Sequence, residues 1–357
     1  MSDGKVEILF TGYAPVHFVC FRPIFAALAV DPKFGVHVSG GLERKTENGI
    51  SYDTPGLYDR FALPPAVVLS MDEIADRSFD LLFSACTRKI VPRSVSRCVQ
   101  IFHGMSIRNR AVRTEATGYD DYFVLGPFQR RLFETLCILP ADDPKLHSIG
   151  FPKTDVLVDG SIDRERVISQ HGFRGDRPVV LYAPTGAIGN SLETLGCRLI
   201  RAIAAMASVD LLVKPHDHPK DGVDWFDRLA PLENDHVRLI RDPDIVPYLA
   251  TADLLVTDAS STANEFTLRD RPIVYIDVPE LLARAAAEDG RLDLATWGRR
   301  GGTVVSTPAE AVAAIDAGLS DPSLGSQVRR AIRDDLFYNP GAATCAAVDW
   351  IAELAVS

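Results

Sequence analysis

Residues 254–266, LLVTDASSTANEF, join a four-residue apolar run to a polar turn and then to a helical pattern. Similar apolar, β-branched runs alternate with longer helical segments along the whole chain. This alternation is typical of an α/β fold with parallel sheets. The predicted strands are residues 6–10, 36–39, 81–84, 99–102, 122–125, 179–182, 211–213, 237–240, 254–257 and 273–276.

The length of the chain indicates two domains. Its 357 residues compare with roughly 100–200 residues for a single domain, and the apolar pattern weakens over residues 155–177. We predict two Rossmann-like domains facing a cleft, an N-terminal one of residues 1–165 and a C-terminal one of residues 166–357. The chain is predicted to end in a helix over residues 342–356. Because ligands bind outside the carboxyl ends of the strands in such sheets, the residues that follow each strand are the informative ones.

Composition and charge argue against several classes of protein. The chain has 38 Lys and Arg against 48 Asp and Glu, a net charge of -10, whereas a nucleic-acid binder is usually basic. The six cysteines include no C-x-x-C pair, which argues against a structural zinc site or a disulfide framework. No run approaches the about 20 apolar residues of a membrane helix, and no signal-peptide pattern is visible. We therefore expect a cytoplasmic protein with no nucleic-acid partner.

A histidine follows the predicted strand 99–102, where His103 precedes Gly104. An imidazole with a pKa near 6.5 can take a proton from an attacking hydroxyl at neutral pH. The glycine beside it leaves close access to the backbone. The alternative is a structural histidine at a tight turn, and position alone does not separate the two. His103 is therefore a candidate general base.

The region around this histidine carries a run of cations. Residues 88–113 contain no acid and include Arg88, Lys89, Arg93, Arg97, Arg108, Arg110 and Arg113. In a protein of net charge -10 this run predicts an anionic partner, either a phosphate-rich acceptor or an anionic membrane surface. The alternative is a solvated face whose acids come from elsewhere in the fold. His17, after the first predicted strand, is a candidate for the same acceptor side.

The strand 179–182 runs into a turn that suits an anion. Pro184 and Thr185 belong to a segment of small and hydroxyl residues, which leaves backbone N–H groups free. One such turn is weak evidence by itself. The chain has no G-x-G-x-x-G after a strand and no G-x-x-x-x-G-K-[ST], so neither the dinucleotide fingerprint nor the P-loop is present.

The strand 211–213 runs into Lys214 and His216. A lysine and a histidine at a strand end can pair with a diphosphate or protonate its leaving oxygen. His216 and His218 also suggest a metal site, but no third ligand stands at a suitable spacing. We predict neither a metal nor a cofactor.

The strand 254–257 ends in Asp258 and is followed by the hydroxyl triplet Ser260, Ser261 and Thr262. Hydroxyl groups and free N–H groups at the start of a helix can together bind a phosphate. Thr262 and Glu265 also match the capping box S/T-x-x-E, so helix capping is the alternative for this segment. Glu265 has a second alternative role, binding the hydroxyl groups of a ribose.

These motifs, taken together, resemble the CDP-glycerol glycerophosphotransferase family, whose members build teichoic acids and related capsule polymers. The matching segments are Phe102-His103-Gly104, Tyr182-Ala183-Pro184-Thr185, Lys214-x-His216, Asp258-x-Ser260-Ser261, the stretches 119–128 and 150–155, and Arg271-Pro272-Ile273-Val274-Tyr275-Ile276-Asp277. The resemblance spans roughly residues 100–280. Each motif is loose alone, but their common order is fairly specific.

The resemblance implies a GT-B fold, in which the donor nucleotide is bound by the C-terminal domain and a final helix often crosses back. It implies attack by an acceptor hydroxyl on the β-phosphorus of CDP-glycerol, with release of CMP. His103 would then be the base and His216 the group that holds or protonates the diphosphate. Ser260 and Ser261 would bind the diphosphate, and Glu265 would lie near the ribose. The other candidate donor-binding residues are Gly104, Pro184, Thr185, Lys214, Asp258 and Thr262.

Two departures from the family pattern concern the donor. Gly186 stands where the family usually has a tryptophan, and Ala259 where it more often has a tyrosine. The loss of two rings leaves the transferred alcohol or sugar open. We expect a CDP-activated polyol phosphate as donor and a glycan or lipid-linked acceptor, with the protein on the inner face of the membrane. The alternatives are a GT-B glycosyltransferase that uses a nucleotide sugar, and a non-catalytic nucleotide-binding member of a polymer-assembly complex.

Overall fold

The chain forms two compact units, each built on a parallel sheet. The computed structural model describes residues 4–47, 49–86, 88–104, 112–113, 117–216, 222–289 and 297–356. Described residues up to 155, together with those from 335, form the first unit, and residues 156–334 form the second. The division lies between Asp155 and Val156, whereas the sequence pattern placed it between residues 165 and 166.

The strands are short and mostly parallel. In the first unit they are β1 Val6–Gly12, β2 Phe34–Gly40, β3 Leu42–Thr46, β4 Gly49–Asp53, β5 Ser78–Ser84, β6 Ser94–Gln100, β7 Asp121–Phe123 and β8 Leu146–His147. In the second unit they are β9 Val179–Tyr182, β10 Asp210–Val213, β11 Val237–Leu239, β12 Leu254–Thr257, β13 Ile273–Ile276 and β14 Thr303–Val305. The predicted α/β fold class is confirmed.

Helices connect these strands. In chain order they are α1 Pro15–Ala29, α2 Thr54–Tyr58, α3 Met71–Ala75, α4 Pro127–Thr135, α5 Arg164–Gln170, α6 Ser191–Thr194, α7 Gly196–Ala204, α8 Trp225–Leu229, α9 Val246–Thr251, α10 Thr262–Phe266, α11 Pro279–Asp289, α12 Pro308–Ser320, α13 Ser326–Leu336 and α14 Ala343–Val356. In the part of the chain that the structure describes, no helix combines the length and the apolar character needed to cross a bilayer.

The two main sheets differ in strand order. The first runs β2-β1-β5-β6-β7-β8 and the second runs β11-β10-β9-β12-β13-β14. In the second sheet every residue of β9, β10, β12 and β13 is buried. Continuous apolar runs of this kind are expected where helices cover both faces of a parallel sheet. These strands form the core on which the loops of the second unit stand.

The hairpin of β3 and β4 is not among the predicted strands. Its strands pair antiparallel outside the main sheet, from Leu42 opposite Asp53 to Thr46 opposite Gly49. Most of its residues are exposed, so neither strand shows the apolar alternation of a half-buried strand. The hairpin was not predicted because its exposed strands carry no apolar pattern in the sequence.

The C-terminal helix belongs to the first unit. Helix α14 packs against α1, and the carboxylate of Asp155 accepts hydrogen bonds from the N–H groups of Ala343 (3.0 Å) and Thr344 (2.7 Å). An acceptor at this end satisfies N–H groups that have no partner within the helix. This contact explains why the first unit continues as far as Asp155.

Candidate functional site

The first sheet reverses its winding direction between β1 and β5, because β2 lies on one side of β1 and β5 on the other. In open parallel sheets ligands bind outside the carboxyl ends of the strands at such a point. His17 follows β1 and His103 follows β6, and their ring centroids lie 5.2 Å apart. The structure thus brings together two candidate residues that are far apart in the sequence.

The turn that carries His103 is held by buried hydrogen bonds. The side chain of Gln100 accepts from the Phe102 N–H (3.0 Å) and donates to the carbonyl of Cys86 (2.9 Å). Phe102 has a φ of 57° and Gly104 a φ of 126°, both outside the range that most residues adopt. The glycine tolerates this conformation because it has no Cβ. The turn ends β6 at Gln100, earlier than the predicted end at residue 102.

The backbone fixes His103 in one tautomer. Its Nδ1 lies 2.6 Å from the carbonyl oxygen of Ala85, and Nδ1 must carry the proton because a carbonyl only accepts. The neutral ring therefore has its lone pair on Nε2. Burial lowers the pKa of His103, the bond to Ala85 opposes this, and the charges of Lys153 and Arg113 lower the pKa further. The ring is thus neutral at pH 7, as a general base requires.

His17 has the opposite tautomer. It lies in the first turn of α1, is 3% exposed, and accepts a hydrogen bond at Nδ1 from the Tyr13 N–H (3.1 Å). The proton of the neutral ring is therefore on Nε2. Gly12 makes this packing possible, because a Cβ at that position would lie 2.7 Å from the Cβ of His17. One ring of the pair is held as a proton acceptor and the other as a donor.

Most of the described cations in the basic run are paired within the fold. Arg88 forms an ion pair with Glu43 at 2.8 Å, and Arg97 binds both carboxylate oxygens of Asp121. Lys89 donates a hydrogen bond to a backbone carbonyl. The interpretation of Arg88 and Arg97 as uncompensated is therefore corrected, because their acid partners come from β3 and β7. Arg88 loses the argument that made it a candidate for an anionic partner, whereas Lys89 keeps it, because a carbonyl does not neutralise its charge.

Two other cations act on His103. The buried Nε of Arg113 has no hydrogen-bond partner among the residues that the structure describes, and Lys153 is 6% exposed. Lys153 was not a candidate from sequence, because no spacing rule links the segment 150–155 to the histidine turn. Arg108 and Arg110 lie outside the described residues.

In the second sheet, three motif-bearing strands lie side by side. β9 lies between β10 and β12, and the direction of winding reverses between β9 and β12. Tyr182 at the end of β9 pairs in register with Val213 of β10 and Val256 of β12. The turns that follow these strands therefore begin at the same edge of the sheet. The expectation that their motifs converge rests on this register.

Asp258 holds two of these turns together. It is fully buried, and its carboxylate accepts hydrogen bonds from the N–H groups of Thr185 (2.9 Å), Ser191 (2.9 Å) and Ala259 (2.6 Å). The Ser191 hydroxyl donates a further one at 2.8 Å. Both carboxylate oxygens are thus occupied. Asp258 is a candidate donor-binding residue, and in the structure its carboxylate fixes the two loops, with Ser191 as an unpredicted partner.

The alternative of a capping box formed by Thr262 and Glu265 does not hold. Ser261 is the residue before α10, and no side chain caps the helix there. The Ser260 hydroxyl accepts from the Thr262 N–H (3.3 Å) and donates to the Thr262 hydroxyl (3.0 Å). The Ser261 hydroxyl makes no hydrogen bond to the described residues, and it is partly exposed. Glu265 is buried, at 3% exposure.

The remaining candidates of the second unit stand at the same edge. Lys214 is 5% exposed, and its N–H donates to the carbonyl of Tyr182 at 2.9 Å. Pro184 is buried, Thr185 is half-buried and His216 is exposed. The described residues include no cluster of three His, Cys, Asp or Glu that could hold a metal ion. The second histidine of the suggested pair, residue 218, lies outside them.

Comparison with known proteins bears on both units. A sequence search of curated proteins finds no match. The wall teichoic acid polymerase TagF has a similar structure, with a TM-score of 0.68 and 13% identity over 99% of this chain and 90% of that one. A TagF variant soaked with CDPG gives a TM-score of 0.68 at 14% identity, with the same coverage.

A UDP-GlcNAc 2-epimerase from Neisseria meningitidis bound to UDP-GlcNAc is also similar, with a TM-score of 0.56 and 13% identity over 98% of this chain and all of that one. These structures share the GT-B type of fold, which the chain also has. The sequence model of CDP-glycerol:poly(glycerophosphate) glycerophosphotransferases matches residues 85–344, well over half of the chain. Together with the motifs at the strand ends, this match establishes that the chain belongs to that family and is an enzyme of the transferase class.

Proposed function

We propose that the protein transfers glycerol phosphate, or a related polyol phosphate, from a CDP-activated donor to a hydroxyl of a cell-surface glycan or lipid-linked acceptor. In this reaction the acceptor oxygen forms a bond to the β-phosphorus of the donor. The bond from that phosphorus to the bridging oxygen breaks, and CMP leaves with the electron pair. The acceptor proton is taken by the protein, and the leaving oxygen is neutralised.

The observation that carries the proposal is the fixed tautomer of His103. With Nδ1–H bound to Ala85, the Nε2 lone pair is the atom available to take the acceptor proton. The nearby charges of Lys153 and Arg113 disfavour the protonated ring and favour an anion. Gly104 gives the same turn its backbone conformation. His17, with its proton on Nε2, is proposed to orient the acceptor hydroxyl.

The second unit is proposed to bind the donor. Ser260, Ser261 and Thr262 supply hydroxyls for the diphosphate, and Lys214 supplies a positive charge. His216, which is exposed at the same edge, is proposed to hold or protonate the leaving oxygen. Thr185 and Pro184 form the neighbouring turn, which Asp258 fixes in place. Catalysis would then come from positioning and electrostatic stabilisation.

A donor contact for Glu265 is also proposed. The family resemblance implies that this carboxylate lies near the ribose. In the structure Glu265 belongs to α10, close behind the hydroxyl triplet. We propose that the protein acts on its acceptor as a peripheral protein at the cytoplasmic face of a membrane. Cosedimentation with vesicles of anionic lipid tests that setting, and equal recovery with neutral vesicles would contradict an anionic surface.

A ligand screen by thermal shift tests the proposed function. The compounds are CMP, CDP, CDP-glycerol, CDP-ribitol, UDP, GDP and UDP-GlcNAc. A ligand that binds only the folded state adds RT ln(1 + [L]/Kd) to the free energy of unfolding, about 2.7 kcal/mol at a hundredfold excess over Kd. Selective stabilisation by cytidine compounds is the expected result, followed by CMP release when an acceptor is present.

The screen also has outcomes that contradict the proposal. Selective stabilisation by UDP or GDP compounds would favour a sugar transferase, for which the likeness to a UDP-GlcNAc-binding structure is the observation in hand. Stabilisation by cytidine compounds without any CMP release would favour the non-catalytic interpretation.

A further inference from the structure

An ion pair follows β13, the strand beside β12. The turn after β12 carries Ser260 and Ser261, the residues proposed to bind the diphosphate. Asp277 comes directly after β13, and its Oδ1 lies 2.6 Å from Nη1 of Arg299. The Arg299 side chain is 16% exposed and that of Asp277 is 31% exposed, so solvent reaches both only in part. The N–H of Asp277 donates to the carbonyl of Val305 at 2.7 Å, which fixes its backbone.

The pair has unused hydrogen-bonding capacity. Oδ2 of Asp277 accepts no hydrogen bond from the described residues, and the remaining N–H groups of Arg299 donate none to them. A guanidinium offers its donors in a plane, and a carboxylate offers an acceptor beside it. The pair therefore presents a donor and an acceptor side by side at the carboxyl edge of the sheet.

Strand register places this pair beside the Ser260 turn. Thr257 of β12 pairs with Tyr275 of β13, and Ala259 and Asp277 each follow that pair by two residues, just beyond the ends of these neighbouring strands. Neighbouring strands are about 4.8 Å apart. Ala259, which precedes Ser260, and Val278, which follows Asp277, pack in one small apolar cluster with Leu281 of α11. The ion pair and the proposed diphosphate site are thus adjacent.

The chemistry of the pair selects among parts of the donor. Asp277 neutralises the charge of Arg299, so the pair offers a diphosphate no net positive charge. Among the described residues, the apolar cluster beside it consists of the aliphatic side chains of Ala187, Ala259, Val278, Leu281 and Leu282, and none of these offers a ring on which a base could stack. A hydroxyl group both donates and accepts, which matches the donor and acceptor that the pair presents.

We propose that the Asp277–Arg299 pair binds the hydroxyl groups of the polyol that is transferred. This inference rests on the proposed function, since it assigns one part of the same donor. Through these contacts the pair would bind a complete polyol donor more tightly than the nucleotide alone. Neither residue was a site candidate from sequence, although Asp277 ends one of the family-like segments.

Calorimetric titration with CDP and with CDP-glycerol tests the assignment. The variants are Asp277→Ala and Arg299→Gln. The matched control is Arg164→Gln, which breaks the 2.7 Å ion pair of Arg164 with Asp253 at the opposite edge of the same sheet. Loss of hydrogen bonds that involve charged groups should weaken CDP-glycerol binding about tenfold in either variant. Binding of CDP should stay within about twofold of the wild type, and the control should bind both ligands normally.

Four results would overturn the inference. Equal weakening of CDP and CDP-glycerol would place the pair on the nucleotide, and unchanged binding of both would leave it a surface ion pair. Equal affinity of the wild type for the two ligands would mean that the polyol is not recognised. Wild-type protein that binds no cytidine compound at all overturns the proposed function, and the inference with it.

Discussion

At the edge of the first sheet the proposed base is an imidazole held by the backbone, whereas at the edge of the second sheet a buried carboxylate holds two turns in place. His103 has its tautomer set by the carbonyl of Ala85. In the second unit Asp258 has both oxygens engaged, so the groups left for a ligand are the ones around it, such as Ser261. The same parallel α/β plan therefore supports two kinds of chemistry: one edge is suited to moving a proton and the other to holding an anion.

The largest expected effect is a loss of rate without a loss of donor affinity, which distinguishes the two sheet edges. His103→Ala removes the proposed base, and the loss of general base catalysis typically costs about 10²–10⁴-fold in rate. Because the base belongs to the first unit, donor affinity should be unchanged. CMP release gives the rate and calorimetry with CDP gives the affinity.

The matched control for this variant is His147→Gln. His147 lies in the same unit, but it belongs to the edge strand β8 and pairs with Asp121 at 2.7 Å. The control should keep its rate. Activity that survives His103→Ala would remove the assigned base and, with it, the contrast between the two edges.

The next effect concerns the second edge. Asp258→Asn keeps the size of the side chain but turns an amide donor towards N–H donors. We expect a loss of about 3 kcal/mol in the free energy of unfolding, together with weaker binding of CDP. Denaturant unfolding and calorimetry measure the two quantities.

Asp253→Asn separates stability from binding. Asp253 accepts from the Val179 N–H (2.9 Å) and from Arg164 at the amino edge of the same sheet. It should lose stability while CDP affinity is retained. Equal loss of CDP affinity in both variants would show that Asp258 acts only through global stability and does not position the donor loops.

The pH dependence tests the electrostatics of the first edge. The pKa of His103 is below its ordinary value, so kcat/KM should rise with pH as the ring loses its proton and then level off. Lys153→Met keeps most of the apolar stem but removes a positive charge that disfavours the protonated ring. The pKa of His103 should therefore rise, and the acid limb of the profile should move to higher pH.

The control for the pH profile is Lys145→Met, which changes an exposed lysine just before β8. Its acid limb should coincide with that of the wild type. An unmoved limb in Lys153→Met, or one that moves to lower pH, would mean that Lys153 does not act on the base.

The comparison of the two edges also shows what sequence could predict. β9, β12 and β13 have the predicted bounds, because four-residue apolar runs followed by polar turns mark buried parallel strands. The end of β6 was misplaced because a left-handed Phe102 cannot be recognised from residue type. The ion pair of Arg88 with Glu43 could not be predicted, because only the folded structure brings these segments together. The same holds for the hydrogen bond from the Ser191 hydroxyl to Asp258.

The smallest expected effect distinguishes two adjacent serines. Ser260 is bonded to Thr262 through both its donor and its acceptor, whereas the Ser261 hydroxyl has no partner among the described residues. Ser261→Ala should therefore leave the free energy of unfolding unchanged within about 0.5 kcal/mol, yet weaken CDP about two- to tenfold, the value of one hydrogen bond. Ser260→Ala should reduce stability as well as affinity, since it breaks the loop's own bonds. If Ser261→Ala bound CDP as tightly as the wild type, the hydroxyl would be solvated in the complex, and the second edge would hold its anion through N–H groups and Lys214 alone.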